Sequence, residues 1–182
     1  MDKVLYRNGR PLKIALIGGA RTGKDTIAQY LGSKADFKRL AFGDKLKELM
    51  YKTFIGLPQE PKPRNVMIEF GQACRKINPN VWIDQLHKTY TMYNAIGYEN
   101  FVITDVRQPN EIEYCRNNGY LIVKVEASKD AQVERALAGG EVLDPNNILD
   151  TLALQFEDYD FKIENNGSLL DLYKQVDQIL EG

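Results

Sequence analysis

This chain is short of the features that mark several broad protein classes. Only two cysteines occur in its 182 residues, Cys74 and Cys115, at a separation that matches no metal-ligand pattern, which argues against a disulfide-stapled scaffold and for reduced thiols. The single histidine, His87, is paired with no nucleophile in the sequence and reads as a helix-surface residue, not a catalytic base. No apolar run approaches the roughly 18 to 20 residues of a membrane span, and the amino terminus, Met1 to Tyr6, has no signal-peptide core. Neither sign of charge dominates: the net charge is −1, so nucleic-acid polymers and anionic membranes are poor partners, whereas small phosphorylated ligands fit. There is no repeat and no low-complexity tract. The expectation is one α/β domain over residues 1–182, in the cytoplasm.

What the chain does have is a β-branched apolar run, Ile14 to Ile17, followed by Gly18-Gly19-Ala20-Arg21-Thr22-Gly23-Lys24-Asp25-Thr26. This reads as a phosphate-binding loop of the G-x-x-x-x-G-K type. Gly18 and Gly23 permit backbone angles closed to other residues, so that successive amide N–H groups can turn inward around phosphates, and Lys24 adds a point charge. The apolar residues Ile27, Ala28 and Leu31 recur at helical spacing, and a helix starting near Gly23 would aim its positive end at the same anion. The position after Lys24 usually carries Ser or Thr for a magnesium ion; here it is Asp25, with Thr26 one place later.

Apolar runs that suit buried parallel strands recur at Ile14 to Ile17, Arg39 to Phe42, Phe101 to Thr104, Leu121 to Val125 and Phe161 to Ile163, separated by segments of helical period. That alternation predicts an α/β fold with its ligand at the carboxyl ends of the strands. A helix through Lys45 to Met50 has Asp44 placed as its N-cap. After Pro58, Pro61 and Pro63 come two helices without an intervening strand, about Asn65 to Lys76 and Asn80 to Asn94, which read as an inserted helical subdomain at about 57–97. Ala138 to Asn147 is loop-like, and a last helix spans Ser168 to Leu180.

A second constellation lies in Phe101-Val102-Ile103-Thr104-Asp105-Val106-Arg107, an apolar strand that ends in a carboxylate with an arginine two residues on. Beside a phosphate loop, such an aspartate can hold magnesium directly or through water, and the arginine can neutralise phosphate charge. Alone, Asp105 reads equally as a helix cap, and Arg107 as a surface partner of Glu111 or Glu113.

These residues resemble the bacteriophage-type deoxynucleoside monophosphate kinases, within the P-loop nucleoside and dephospho-coenzyme A kinase group. The likeness runs through Gly18 to Thr26, Leu40-Ala41-Phe42-Gly43-Asp44-Lys45-Leu46-Lys47-Glu48, Phe70 to Arg75 with Asn78 to Trp82, Thr104 to Glu111, and Ile163-Glu164-Asn165-Asn166-Gly167-Ser168-Leu169. The resemblance implies a three-layer P-loop NTPase fold on a five-stranded parallel sheet, with a short lid at about 136–148 hinged at Gly139 and Gly140. It implies transfer of the γ-phosphoryl group of ATP to a deoxynucleoside 5′-monophosphate with magnesium, in a homodimer, in the host cytoplasm if the chain is phage-encoded. By the same resemblance, Lys24, Asp105, Arg107 and Arg135 would be catalytic, and Asp25, Thr26 and Asp105 would organise the metal. Gly18, Ala20, Arg21, Thr22, Gly23, Lys24, Asp25, Thr26, Arg135, Asn165 and Gly167 would hold ATP. Asp44, Arg75, Trp82 and Arg107 would hold the acceptor.

Trp82 either stacks on a base or anchors the helical insertion. Phe70, at helical spacing from Val66, reads as core, and Asp44 contacts the acceptor sugar or only caps its helix. Where the family often shows a His-x-Ser-Glu-like segment, this chain has Asn147-Ile148-Leu149-Asp150, keeping only the acidic residue. Two other readings remain: a dephospho-coenzyme A kinase or other small-molecule kinase on the same scaffold, and an ATP-binding regulatory module that transfers nothing.

Overall fold

A computed structural model describes residues 4–140 and 155–181 of the chain. Its centre is a five-stranded parallel sheet in the order β4-β5-β3-β6-β7, formed by β3 (Lys13–Ile17), β4 (Phe37–Leu40), β5 (Asn100–Val106), β6 (Leu121–Glu126) and β7 (Phe161–Glu164). A small antiparallel hairpin, β1 (Tyr6–Arg7) with β2 (Arg10–Pro11), precedes it. β3 is central: Ile14 pairs with Val102 on one side and Leu121 on the other.

Because side chains alternate across a strand, β3 feeds two cores at once. Ile14 and Leu16 join the apolar cluster that includes Ile27 and Leu31 of α1 (Lys24–Lys34) and Leu172 and Val176 of the last helix described, α7 (Leu169–Glu181). Ala15 and Ile17 face the opposite cluster, with Leu46 of α2 (Phe42–Thr53), Trp82 and Leu86 of α4 (Val81–Ala95), and Ile112 of α5 (Pro109–Asn117). The result is three layers, helix on sheet on helix. α3 (Arg64–Ile77) follows α2 and precedes α4 with no strand between them, and α6 (Lys129–Ala138) follows β6.

Two sequence expectations shift. The strand expected at Arg39 to Phe42 lies at Phe37–Leu40, because Ala41 is extended and Phe42 already opens α2. Asp44 is therefore inside the first turn of α2 and is not its N-cap, which is Ala41. The cap comes instead from across the sheet, where Asp105 at the end of β5 accepts from Phe42 N at 2.8 Å and Gly43 N at 2.8 Å. Both cysteines are free thiols. His87 lies on the exposed face of α4, its Nδ1 3.0 Å from the Tyr114 hydroxyl. Among the described residues no helix is long and apolar enough to cross a membrane.

Candidate active site

The loop between β3 and α1 is shaped by close approaches that only glycine tolerates. A Cβ at Gly18 would run into the Val125 carbonyl oxygen of β6, and at Gly23, where φ is +105°, into the Asn165 side-chain amide. α1 begins directly at Lys24 with no side-chain cap, so its first N–H groups and its dipole face the loop mouth. Lys24 is almost fully buried, and its ammonium donates to Gly18 O at 2.8 Å, Gly19 O at 2.5 Å and Thr22 Oγ1 at 3.3 Å. The charge is thus held inside the loop, where a phosphate would meet it together with the backbone amides.

Asn165 and Arg135 are tied to the same loop. Asn165 Nδ2 donates to Thr22 O at 2.8 Å, and its backbone N donates to Glu126 O at 2.8 Å. Arg135 donates to Asn165 O at 2.9 Å and to Arg21 O at 3.3 Å. Gly167 lies against Asp171, whose carboxylate accepts from Ser168 N at 3.0 Å. Residues 141–148 of the expected lid, and Asp150, lie outside the described residues.

The loop forms one wall of a cleft of about 570 Å³ at the carboxyl ends of β3, β4 and β5. Asp25 and Thr26 of α1, Asp105 of β5, and Arg107 beyond it line that cleft, as do Arg75 of α3 and Arg135 of α6. Asp105 is partly buried at the cleft, and burial raises its carboxyl above the usual aspartate range although two backbone N–H groups favour the charged form.

Two expected acceptor residues sit elsewhere. Trp82 is 1% exposed, donates its indole Nε1 to Gly71 O at 3.2 Å and packs beside Phe70 with ring centroids 6.2 Å apart. It anchors α4 to α3 and presents no face to a base. Asp44 is engaged by Arg39 at 2.8 Å and by Lys47 at 3.9 Å.

Three groups of residues in the cleft went unassigned on sequence. Arg39, at the end of β4, donates to Asp44 and stands in the field of Asp105 and Asp25. Lys62 and Arg64, flanking Pro63, also line the cleft; a basic pair in a proline-rich stretch was the visible signal. Glu111 is 3% exposed, its Oε1 accepting from Arg75 at 3.0 Å and its Oε2 from Arg107 N at 2.9 Å and Gln108 N at 3.1 Å. Burial, reinforced by the Asp105 charge, pushes its carboxyl up to about 7. Glu111 forms a buried ion pair with Arg75 of α3 at the start of α5, so it does not lie on a solvated face. The local signal was the capping box from Gln108 to Glu111 with Pro109 at the first helical position.

The donor set suits a hard cation shared with phosphates. Asp25, the Thr26 hydroxyl and Asp105 offer few oxygens, and among the described residues no group of three or more His, Cys, Asp or Glu forms a cage of its own. That is the pattern expected of magnesium, which keeps waters and takes one or two carboxylates plus substrate oxygens.

The chain is 25% identical over 190 residues to a protein of Acanthamoeba polyphaga mimivirus described as a deoxynucleotide monophosphate kinase, an alignment covering 90% of this chain and 93% of that one. It is 29% identical over 99 residues to the deoxynucleotide monophosphate kinase of Escherichia phage RB69, covering 54% of this chain and 36% of the phage protein. In fold it is similar to the APS kinase of Mycobacterium tuberculosis, with a TM-score of 0.56 at 14% identity over 95% of this chain and 99% of the other. A family model for deoxynucleotide monophosphate kinases matches residues 63–176, more than half of the chain, which therefore belongs to that family of phosphotransferases.

Proposed function

We propose that this protein transfers the γ-phosphoryl group of ATP to a deoxynucleoside 5′-monophosphate. The observation that carries the reading is a single cleft lined both by the phosphate-loop residues with Lys24 and by the guanidinium-bearing residues Arg75 and Arg107. Phosphoryl transfer asks little covalent chemistry of a protein and depends on alignment and charge neutralisation, which cationic groups gathered in one cleft can supply.

In this reading Lys24 and the loop amides hold the β- and γ-phosphates, and Arg135, anchored on Arg21 O and Asn165 O, stands at the donor side. Arg75 and Arg107 hold the acceptor phosphate. Asp25, Thr26 and Asp105 would hold magnesium directly or through water, and the bound ion would neutralise charge on the donor phosphates. Asn165, beyond β7, donates to Thr22 O of the loop, and in this reading it and Gly167 hold the donor nucleoside.

The test is ADP release with ATP, magnesium and each common deoxynucleoside or ribonucleoside monophosphate, with dephospho-coenzyme A alongside. Turnover with at least one deoxynucleotide, lost in Lys24→Ala and Arg75→Ala, is the expected result. Turnover with dephospho-coenzyme A alone, or none that depends on an acceptor, would overturn it.

A further inference from the structure

Arg75 and Arg107 reach the cleft from different elements, α3 and the end of β5, so something must set their mutual position. A guanidinium on a flexible stem loses conformational freedom when it is held, and a site that grips one phosphate with two such groups gains if they are held beforehand. Glu111 meets that need. Its Oε2 accepts from Arg107 N at 2.9 Å and Gln108 N at 3.1 Å, closing the start of α5, while its Oε1 takes the Arg75 guanidinium at 3.0 Å. The pair is nearly enclosed, with side-chain exposures of 17% for Arg75 and 4% for Glu111. A carboxylate buried with one guanidinium and two backbone N–H groups holds them in a fixed relation, and Arg75 still lines the cleft.

We propose that Glu111 is a positioning residue for the phosphate acceptor: it clamps the Arg75 guanidinium to the backbone that carries Arg107. This rests on the assignment of Arg75 and Arg107 to the acceptor phosphate. Glu111 touches neither substrate; it acts through Arg75.

Glu111→Gln isolates the clamp. Glutamine can keep the capping role, with its oxygen on the Arg107 and Gln108 N–H groups, but it then turns an NH₂ donor on the Arg75 guanidinium. Steady-state kinetics with the deoxynucleotide that is turned over should show the acceptor KM raised about ten- to a hundredfold, with the ATP KM within about twofold of wild type. Added to Arg75→Ala, the same change should raise the acceptor KM by less than about threefold, since residues acting as a unit are not additive. Glu111→Asp, which keeps the charge but withdraws it by one methylene, should fall between wild type and Glu111→Gln, and it supplies the measurement if the glutamine variant does not fold. An acceptor KM at the wild-type level in Glu111→Gln or Glu111→Asp, while Arg75→Ala raises it, would overturn the clamp and leave the kinase reading standing. Full additivity with Arg75→Ala, with both KM values rising, would reduce Glu111 to a structural residue and overturn it too. An unchanged acceptor KM in Arg75→Ala would remove the acceptor assignment itself, and the clamp with it.

Discussion

Glu111 also makes a quantitative statement about stability. In the folded protein its carboxyl is pushed from the ordinary 4.5 up to about 7, because burial disfavours its charge and the Asp105 charge adds to that, outweighing the Arg107 and Gln108 N–H groups and Arg75. A difference of that size corresponds to about 3 kcal/mol, at about 1.4 kcal/mol for each tenfold change in proton affinity. Because the folded value lies above the unfolded one, the native state keeps a proton that the unfolded chain has released. The stability linked to that proton is therefore complete below about 4.5 and is lost as pH rises through about 7. Glutamine does not titrate. Subtracting wild type from Glu111→Gln cancels the ionisable groups that do not interact with Glu111, so the difference in unfolding free energy should grow in favour of the variant by about 3 kcal/mol from about pH 4.5 to 8. Urea denaturation at several pH values in magnesium-free buffer, with linear extrapolation, measures it. A flat difference, or one that grows in favour of wild type, would refute the reasoning: it would mean that Arg75 and the two N–H groups outweigh burial and that the carboxyl lies at or below its ordinary value.

Other substitutions follow from single contacts. Gly18→Ala should abolish ATP binding in calorimetry, because its Cβ collides with the Val125 carbonyl and the loop must move; wild-type affinity would contradict that contact. Trp82→Ala should lower stability by about 3–5 kcal/mol, and Trp82→Phe by about 1 kcal/mol for the lost bond to Gly71 O, with the order of preference among bases unchanged in both. Asn165→Ala strips Thr22 O of its side-chain donor and should raise the ATP KM by about tenfold, leaving the acceptor KM near wild type. Cys115 is fully buried, and burial raises its thiol above the usual cysteine range, so a thiol reagent should leave it untouched until the protein unfolds.

The parts of the fold legible in the sequence are those set by local pattern. β3, β5 and β6 are buried on both faces and read as apolar runs, and β7, an edge strand, buries Ile163 between exposed Lys162 and Glu164; each expected run lies within two residues of its observed bounds. β4, at the opposite edge, buries only its two ends, Phe37 in one core and Leu40 in the other, with Lys38 and Arg39 between them, so the apolar run that begins at Leu40 drew the expected strand into Ala41 and Phe42 of the next helix. The phosphate loop was legible because its glycines, lysine and following helix are contiguous. Trp82 was not, since whether an indole packs or faces a ligand depends on α3, and its partner Gly71 is a backbone carbonyl that no residue type announces.

The carboxylates of the cleft show why sequence position alone could not separate function from fold. Helices that start at a cleft leave backbone N–H groups without intrahelical partners. α5 solves this locally, through Gln108 and Glu111. α2 has Ala41 at its N-cap, which offers no side-chain acceptor, and takes Asp105 from a strand more than sixty residues away in sequence. Asp105 and Glu111 therefore each hold the start of a helix as well as lining the cleft. Asp105 still has lone pairs beyond the two N–H groups it accepts, so a cation and the cap can share it. The consequence is a rule for reading variants: Asp105→Ala removes the cap of α2 along with any metal ligand, and lost activity would report on both. Asp105→Asn keeps one oxygen for a backbone N–H while removing the charge. A loss of activity in Asp105→Asn that higher magnesium restores, with unfolding free energy near that of wild type, would assign the loss to the ion; a loss that magnesium leaves unchanged, with lowered stability, would assign it to the displaced helix.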